Sequence, residues 1–479
     1  MSVYSGPKIS NDGLVLSLDA ANPQSVLNNV EVLVVAGGGG GGVGGGGAGG
    51  LIYNSAFLVS GETSYSVTVG LGGAASTFWG GNGSSGSNST FGILTAIGGG
   101  AGNHNTTSPS GGSGGGGGYL SAGGAGTAGQ GFAGGSGLGA PNYPGGGGGG
   151  AGAAGQNAVS TSIAGAGGIG LQYSISGTNV YYAGGGGGST QGGGTGASGG
   201  LGGGGAGGGN VNGTAGTPNT GGGGGGGTNL GGAGGSGIVI VRYPGAQKAT
   251  GGTVTSVGVH TIHTFTNSGT FTPFWRDVVG LGNNGTILNG VTYSNNNGGI
   301  LTFDGSNDYI ELLSPSNKWA WTPSGAGNNT LSLEMFVKST DTGGRFFCKP
   351  WNGAGEYNYW LTTDGWYSRV GAQEHNQTFS SLTTGNWEHI VCIITPTQKA
   401  VYRNGQINAA FTNHNTTNNT PASGNGDIPL AIMTLYPYGT GTWDFPNFSE
   451  SGNVSNFKIY NRALSAAEVQ QNYNAIKSR

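Results

Sequence analysis

A long stretch of this chain has almost no charge. Between Glu31 and Arg242 the sole formally charged side chain is Glu62, and Asp, Glu, Lys and Arg make up 7% of the 479 residues against about a quarter in ordinary domains. Net charge is -3 and Lys and Arg are scattered, which excludes the basic footprint of a nucleic-acid binder. Cysteine is limited to Cys348 and Cys392, both in strand-like segments; two isolated thiols make no disulfide framework and read as buried. No apolar run approaches the ~20 residues of a membrane-spanning helix, and no initial segment has the regions of a secretory signal. No membrane insertion is expected, and assembly in a cytoplasm is. Proline is rare and Gly-X-Y periodicity is missing, so collagen is excluded.

Glycine is what remains. The chain holds 115 glycines, and glycine clusters start at Gly37, Gly98, Gly111, Gly145, Gly184, Gly202 and Gly221. Such a stretch either stays a flexible linker or folds through its backbone. Runs of one composition at short spacing, broken by Phe78-Trp79, Tyr119-Leu120, Pro141 to Pro144 and Asn179 to Tyr182, read as a repeat architecture. The conformation open to polyglycine is a polyproline-II-like helix with three residues per turn. Without side chains such helices can pack side by side, N–H to neighbouring carbonyl. A lone helix would not form, because ordering each residue costs about 1–2 kcal/mol and a hydrogen bond returns about 0.5–1.5 kcal/mol net. Apolar strands bracket the block: Val30 to Ala36 and Gly237 to Pro244 are expected to pair antiparallel.

From Phe274 onward the composition is that of an antiparallel β protein. Leu331 to Lys338 and Ala400 to Gln406 alternate apolar and polar residues, and Asn404-Gly405 is a hairpin signal. Ser465 and Glu468 form a capping box for one late helix, with Val469, Tyr473 and Ile476 on one face.

Four ordered segments carry a resemblance: Phe303 to Ile310, Gly385 to Val391, Val401 to Gln406, and Phe457 to Ser465. Residues 274–479 resemble the laminin-G-like, concanavalin-A-like jelly rolls. That family usually begins with a strand like Gly13 to Asn22, here separated from the rest by the glycine block. Residues 11–27 are therefore expected to supply the first strand, pairing with a strand from Asn453 to Tyr460; a separate N-terminal arm is the alternative. The block, with Val30 to Gly37, Gly237 to Pro244 and His263 to Phe271, is similar to the glycine-rich domains of bacteriophage tail-fibre and adhesin proteins. The resemblance implies loops that touch a host receptor, a virion-surface location, other virion proteins as partners and a homo-oligomer, a trimer by preference. The expected fold is all-β: an antiparallel jelly roll from residues 1–27 and 274–479, an inserted polyglycine-II bundle at 28–273, and one short C-terminal helix.

Catalysis has little to work with. The glycine block offers Glu62 and His104, and no Glu-x-Asp-x-x-Glu run of the glycan-hydrolysing jelly rolls occurs, since Glu334 is followed by Met335-Phe336-Val337. Asp304, Asn307 and Asp308 could bind Ca2+ through oxygen, or form a turn whose side chains bond local backbone; no other cofactor is implied. His389 reads as a packed core histidine. Aromatics are the stronger signal, because sugar C–H faces stack on them. Trp351, Tyr357, Tyr359, Trp366, Tyr438 and Trp443 are candidate glycan contacts, several of which the core will claim. Phe78, Trp79, Tyr143, Tyr181 and Tyr182 are the rival receptor-contact residues. The expected function is binding without catalysis; a glycan depolymerase, a capsid-decorating protein without a specific receptor, and a passive or ice-binding surface are the alternatives.

Overall fold

The computed structural model describes residues 11–20, 27, 29–59, 64–78, 80–276, 284–288, 290–294, 299–312, 330–340, 345–349, 358–370, 373–395, 398–413, 430–433 and 451–477. Two compact units emerge. One holds residues 29–58 and 64–272, the other residues 1–28, 59–63 and 273–479.

The first unit is built on a five-stranded antiparallel sheet in which the incoming strand Asn29–Val35 pairs with the outgoing strand Ile238–Pro244, Leu33 opposite Ile240. Glu31 faces Arg242 across this pair. The Arg242 guanidinium donates to both Glu31 carboxylate oxygens at 3.1 and 2.6 Å and to the Ser174 carbonyl at 2.9 Å. Burial would raise the Glu31 pKa, but hydrogen bonds from Arg242 and Tyr53, with the Arg242 charge, hold it below its ordinary value. One ion pair thus clips the two ends of a segment that is otherwise nearly uncharged.

Beyond the sheet the glycine runs order one another. In residues 37–42, successive N–H groups donate to Ser87, Gly235, Gly47, Ser84, Gly232 and Gly44 carbonyls. Every third residue returns to the same neighbouring segment: 37 and 40 to 84–87, 38 and 41 to 232–235, 39 and 42 to 44–47. The carbonyls obey the same rule, accepting from 99–102, 73–76 and 224–227. Residues 44–50 and 184–189 repeat the pattern with other partners. Three is the repeat of a polyproline-II-type helix, and a segment bonded on all sides leaves no room for side chains. A Cβ on Gly46 would lie 2.0 Å from the Gly39 carbonyl oxygen, and one on Gly39 2.2 Å from that of Gly100. The few side chains inside are small; Ser189 Oγ, for instance, donates to the Val43 carbonyl at 3.0 Å.

The second unit is an antiparallel sandwich. One sheet runs, edge to edge, through Thr292–Ser294, Ile300–Asp304, Ser451–Tyr460, Leu331–Ser339, Trp387–Ile394, Gln398–Arg403 and Gln406–Asn413. Leu14–Asp19 also lies antiparallel to Ser451–Tyr460, with Leu18 opposite Phe457. Strands from both sides of the glycine block therefore build this unit, and Leu16 and Leu18 sit in its core beside Phe457, Met335 and Trp275. The second sheet includes Gly285–Leu288, Tyr309–Leu312, Leu430–Ile432, Arg345–Lys349, Asn358–Thr362, Gly365–Val370 and Gln373–Thr378. At the Arg403–Gln406 hairpin both central residues have positive φ, Asn404 at 52° and Gly405 at 80°, the type I′ geometry that Asn-Gly favours.

The alternation in Leu331–Ser339 suggests a solvated face, yet the strand is buried on both sides. The helix Ala466–Ile476, capped by Ser465 and Glu468, covers the polar side, where Val391, Ile393, Tyr402, Tyr460, Leu464 and Val469 cluster. Beneath it Glu334 accepts from Lys458 Nζ at 2.7 Å, Asn472 Nδ2 at 2.7 Å and Tyr460 Oη at 3.2 Å. His389 Nε2 stands 3.4 Å from Glu334 Oε1, with both side chains sealed from solvent. Burial alone would raise the Glu334 pKa; the Lys458 charge and His389 override it and hold the carboxyl well below the usual range.

Three outcomes follow from this packing. Gly46→Ala is expected to destabilise the first unit by about 3 kcal/mol, while Gly269→Ala, whose Cβ would meet nothing nearer than 3.8 Å, stays within about 0.5 kcal/mol; denaturant titration measures both, and equal effects would refute the lattice. Lys458→Met leaves a buried carboxylate unpaired and is expected to cost about 3–5 kcal/mol. Because the folded Glu334 pKa lies below the unfolded value of 4.5, its stabilisation is present above pH 4.5 and lost as pH falls through the folded value. Melting temperature measured against pH should therefore fall less steeply on the acid side in Glu334→Gln than in the parent; equal slopes would exclude the pair as a source of acid lability.

Candidate functional site

The hydrogen-bond partners sort the turns of the glycine unit into two ends. Ala36 and Gly50 bond to each other where the runs leave the sheet, and Gly221, Gly237 and Ala183 are bonded at that level. At the opposite end, around Val43, the backbone is bonded to Ser189, and Gly42 and Gly44 to Gly227 and Asn103. Turns that begin there carry non-glycine residues: 77–78, 80–82, 104–107, 119–120, 138–144, 190–194 and 228–230. Glycine has no side chain to present, so the side chains at this end come from these turns.

Several of them converge on an open cleft of about 610 Å3 lined by His104, Asn105, Tyr119, Leu120, Ser121, Tyr143 and Gln191. The Tyr119 and Tyr143 rings lie 4.9 Å apart at 52°. The turns brace one another: Gln191 N–H donates to the Asn142 carbonyl at 2.8 Å, and Leu138 N–H to the Pro144 carbonyl at 2.9 Å. Asn142 Nδ2 donates to Ser162 Oγ at 3.1 Å, and His104 N–H to Asn82 Oδ1 at 2.9 Å. Burial lowers the His104 pKa, which favours the neutral ring. Two bulky lining residues have left-handed backbones, Leu120 at φ 52° and Tyr143 at φ 46°. Leu120 lies in the turn closed by Ser121 N–H to the Gly118 carbonyl at 2.7 Å, at a position that usually takes Gly or Asn. Backbone strain of this kind concentrates at ligand clamps and active sites.

Of the residues singled out from the sequence, Phe78 is 66% exposed at this end and Tyr143 lines the cleft; Trp79 lies outside the described residues. Tyr181 and Tyr182 belong to the hairpin Leu171–Tyr173 and Val180–Tyr182, at the sheet end. Tyr182 is 3% exposed and packs with Leu33, Ile238 and Ile240, so the expected receptor contact there is corrected: its ring is core. Asn105, Tyr119, Leu120 and Gln191 were not singled out as site residues. Their sequence signal is position, since each falls in a non-glycine insertion between runs.

In the sandwich, Trp366 is 1% exposed and belongs to the core, with Lys399 Nζ 5.7 Å from its ring centroid. A glycan contact by Trp366 is thereby corrected. Tyr359 lies on Asn358–Thr362, opposite Lys349 and Ser368; Trp351, Tyr357, Tyr438 and Trp443 lie outside the described residues. Asp304 Oδ1 accepts from Ser306 N–H at 2.7 Å and Asp308 Oδ2 from Asp304 N–H at 3.0 Å, the local bonding of an Asx turn. Burial raises the Asp308 carboxyl to about 6. Among the described residues no cluster of three or more His, Cys, Asp or Glu could hold a metal ion.

A family model described as a glycine-rich domain matches residues 18–244, and one described as the concanavalin A-like lectin/glucanases superfamily matches residues 304–470. The chain thus carries a glycine-rich domain and a concanavalin-A-like domain. No curated protein matches it. Similar solved structures include domain 4 of a GH43 extracellular arabinanase from Geobacillus stearothermophilus in complex with arabinotriose, 19% identical, covering 42% of this chain and 91% of that one at TM-score 0.30. A Trypanosoma rangeli sialidase in complex with the inhibitor DANA is 16% identical over 42% of this chain and 30% of its own, at TM-score 0.29. The binding domain of Botulinum neurotoxin DC in complex with SialylT is 9% identical over 42% of this chain and 48% of its own, at TM-score 0.31.

Proposed function

We propose that this chain is a bacteriophage virion-surface protein, an adhesin or fibre component that binds a host-surface glycan or receptor without catalysis. On this reading the glycine runs form a polyglycine-II bundle whose purpose is rigidity. The carrying observation is that aromatic and polar turns line an open cleft at the Val43 end of an array bonded through its main chain. A site on a rigid element holds its geometry better than one on long loops. The concanavalin-A-like domain, from a superfamily described by lectins and glucanases, fits a glycan-handling chain. A binding role is also favoured by the commitment of two buried sandwich carboxylates: Glu334 is sealed with Lys458, and Glu388 accepts from Arg403 Nε at 2.6 Å and Asn404 Nδ2 at 2.9 Å. Other virion proteins and further copies of the chain are the partners this role requires, and no cofactor is needed.

Fluorescent full-length protein incubated with a panel of bacterial strains tests the role. Labelling of a subset of strains is expected, reduced at least about tenfold when residues 78 and 119–121 are replaced by glycine and serine with the melting temperature retained. Undiminished labelling by that variant would move recognition off these turns. Release of oligosaccharides from surface polysaccharide of the labelled strains would overturn the non-catalytic reading in favour of a depolymerase.

A further inference from the structure

Resting on that binding role, we infer that the cleft lined by Tyr119 and Tyr143 takes an uncharged pyranose sugar. The volume of about 610 Å3 falls in the usual small-ligand range of about 300–1,000 Å3. Its walls divide by chemistry. The tilted Tyr119 and Tyr143 rings and the Leu120 side chain, 68% exposed, form an apolar corner suited to the C–H face of a sugar ring. Asn105, Gln191 and Ser121 bring side chains that both donate and accept, which matches hydroxyl groups better than ions.

Charge decides the ligand class. None of the lining residues is Asp, Glu, Lys or Arg, and the whole stretch between Glu31 and Arg242 has Glu62 as its one formal charge. A uronic or sialic acid carboxylate in this cleft would lose water with no cation to replace it, a costly transfer. His104, whose protonation burial disfavours, does not supply that cation near neutrality. A neutral hexose or N-acetylhexosamine meets no such penalty. The braced turns and the left-handed backbones of Leu120 and Tyr143 hold the corner before the ligand arrives, which reduces the ordering cost of binding.

Saturation-transfer NMR on the full-length protein, without cells, tests this with the methyl pyranosides of glucose, galactose, mannose and N-acetylglucosamine against N-acetylneuraminic and glucuronic acids. At least one neutral sugar is expected to bind at least about tenfold more tightly than either acid, and Tyr119→Ala to weaken it at least about tenfold. Tyr119→Phe should stay within about threefold, since stacking rather than the hydroxyl carries the contact. Asn105→Ala, at an exposed turn position, should weaken binding with no change in melting temperature, and guards against a folding defect in the Tyr variants. Binding of the acids in preference, no transfer to any neutral sugar, or neutral binding indifferent to Tyr119→Ala and Asn105→Ala would each overturn the inference. Strain labelling that depends on these turns while no neutral sugar binds would sink the sugar assignment and leave the adhesin role standing, with a protein receptor in its place.

Discussion

One constraint governs the glycine unit: every N–H and C=O of residues 37–42 is bonded to another segment, so no Cβ fits between them. Side-chain burial ordinarily drives folding, and here it is nearly missing. Main-chain hydrogen bonds, each worth about 0.5–1.5 kcal/mol net, and close Cα–H contacts take over. These terms beat the entropy of ordering glycine only when each residue bonds on several sides at once. The lack of charge follows from the same cause, because a long charged side chain has nowhere to go inside such an array.

The constraint also assigns tasks. Interior positions are glycine or a small residue such as Ala48 or Ser189, so bulky side chains are pushed to the turns. At the Val43 end those turns carry Phe78, His104, Tyr119, Leu120 and Tyr143. At the other end the incoming and outgoing strands, joined by Glu31 and Arg242, close the array with an ordinary apolar cluster around Leu33, Ile240 and Ile262. The sandwich unit follows the opposite rule. Its stability rests on buried Leu, Ile, Val and aromatic side chains, and the charges buried with them include Glu334 held by Lys458 and Asn472, Glu388 held by Arg403, and Lys399 against the Trp366 ring.

Much of this was legible from residues alone. Alternation and bracketing pointed to the pairing of the strands at Val30 and Ile238, and Leu14 to Asp19 read as a strand that returns to the segment before Tyr460. The Ser465–Glu468 box marked the start of the helix. What could not be read was three-dimensional order. Nothing local in the sequence says that the turn at Tyr119 meets the turn at Tyr143, because that depends on which runs bond to which. Trp366 and Tyr182 look like surface aromatics by their Gly-rich neighbours, yet both fill cores, since neighbour composition does not report which face of a strand a residue occupies. Glu334 shows the same limit: a polar position in an alternating strand is buried because a helix covers that face.

Amide hydrogen exchange resolved to individual residues of the full-length protein tests the central claim directly. Gly38 to Gly42 and Gly45 to Gly49 should exchange as slowly as Leu33 and Ile240 in the flanking sheet, and the turn amides of Asn105 and Leu120 much faster. Exchange through the glycine runs at the rate of an unstructured chain would contradict a main-chain lattice, and with it the account of how this protein presents its turns.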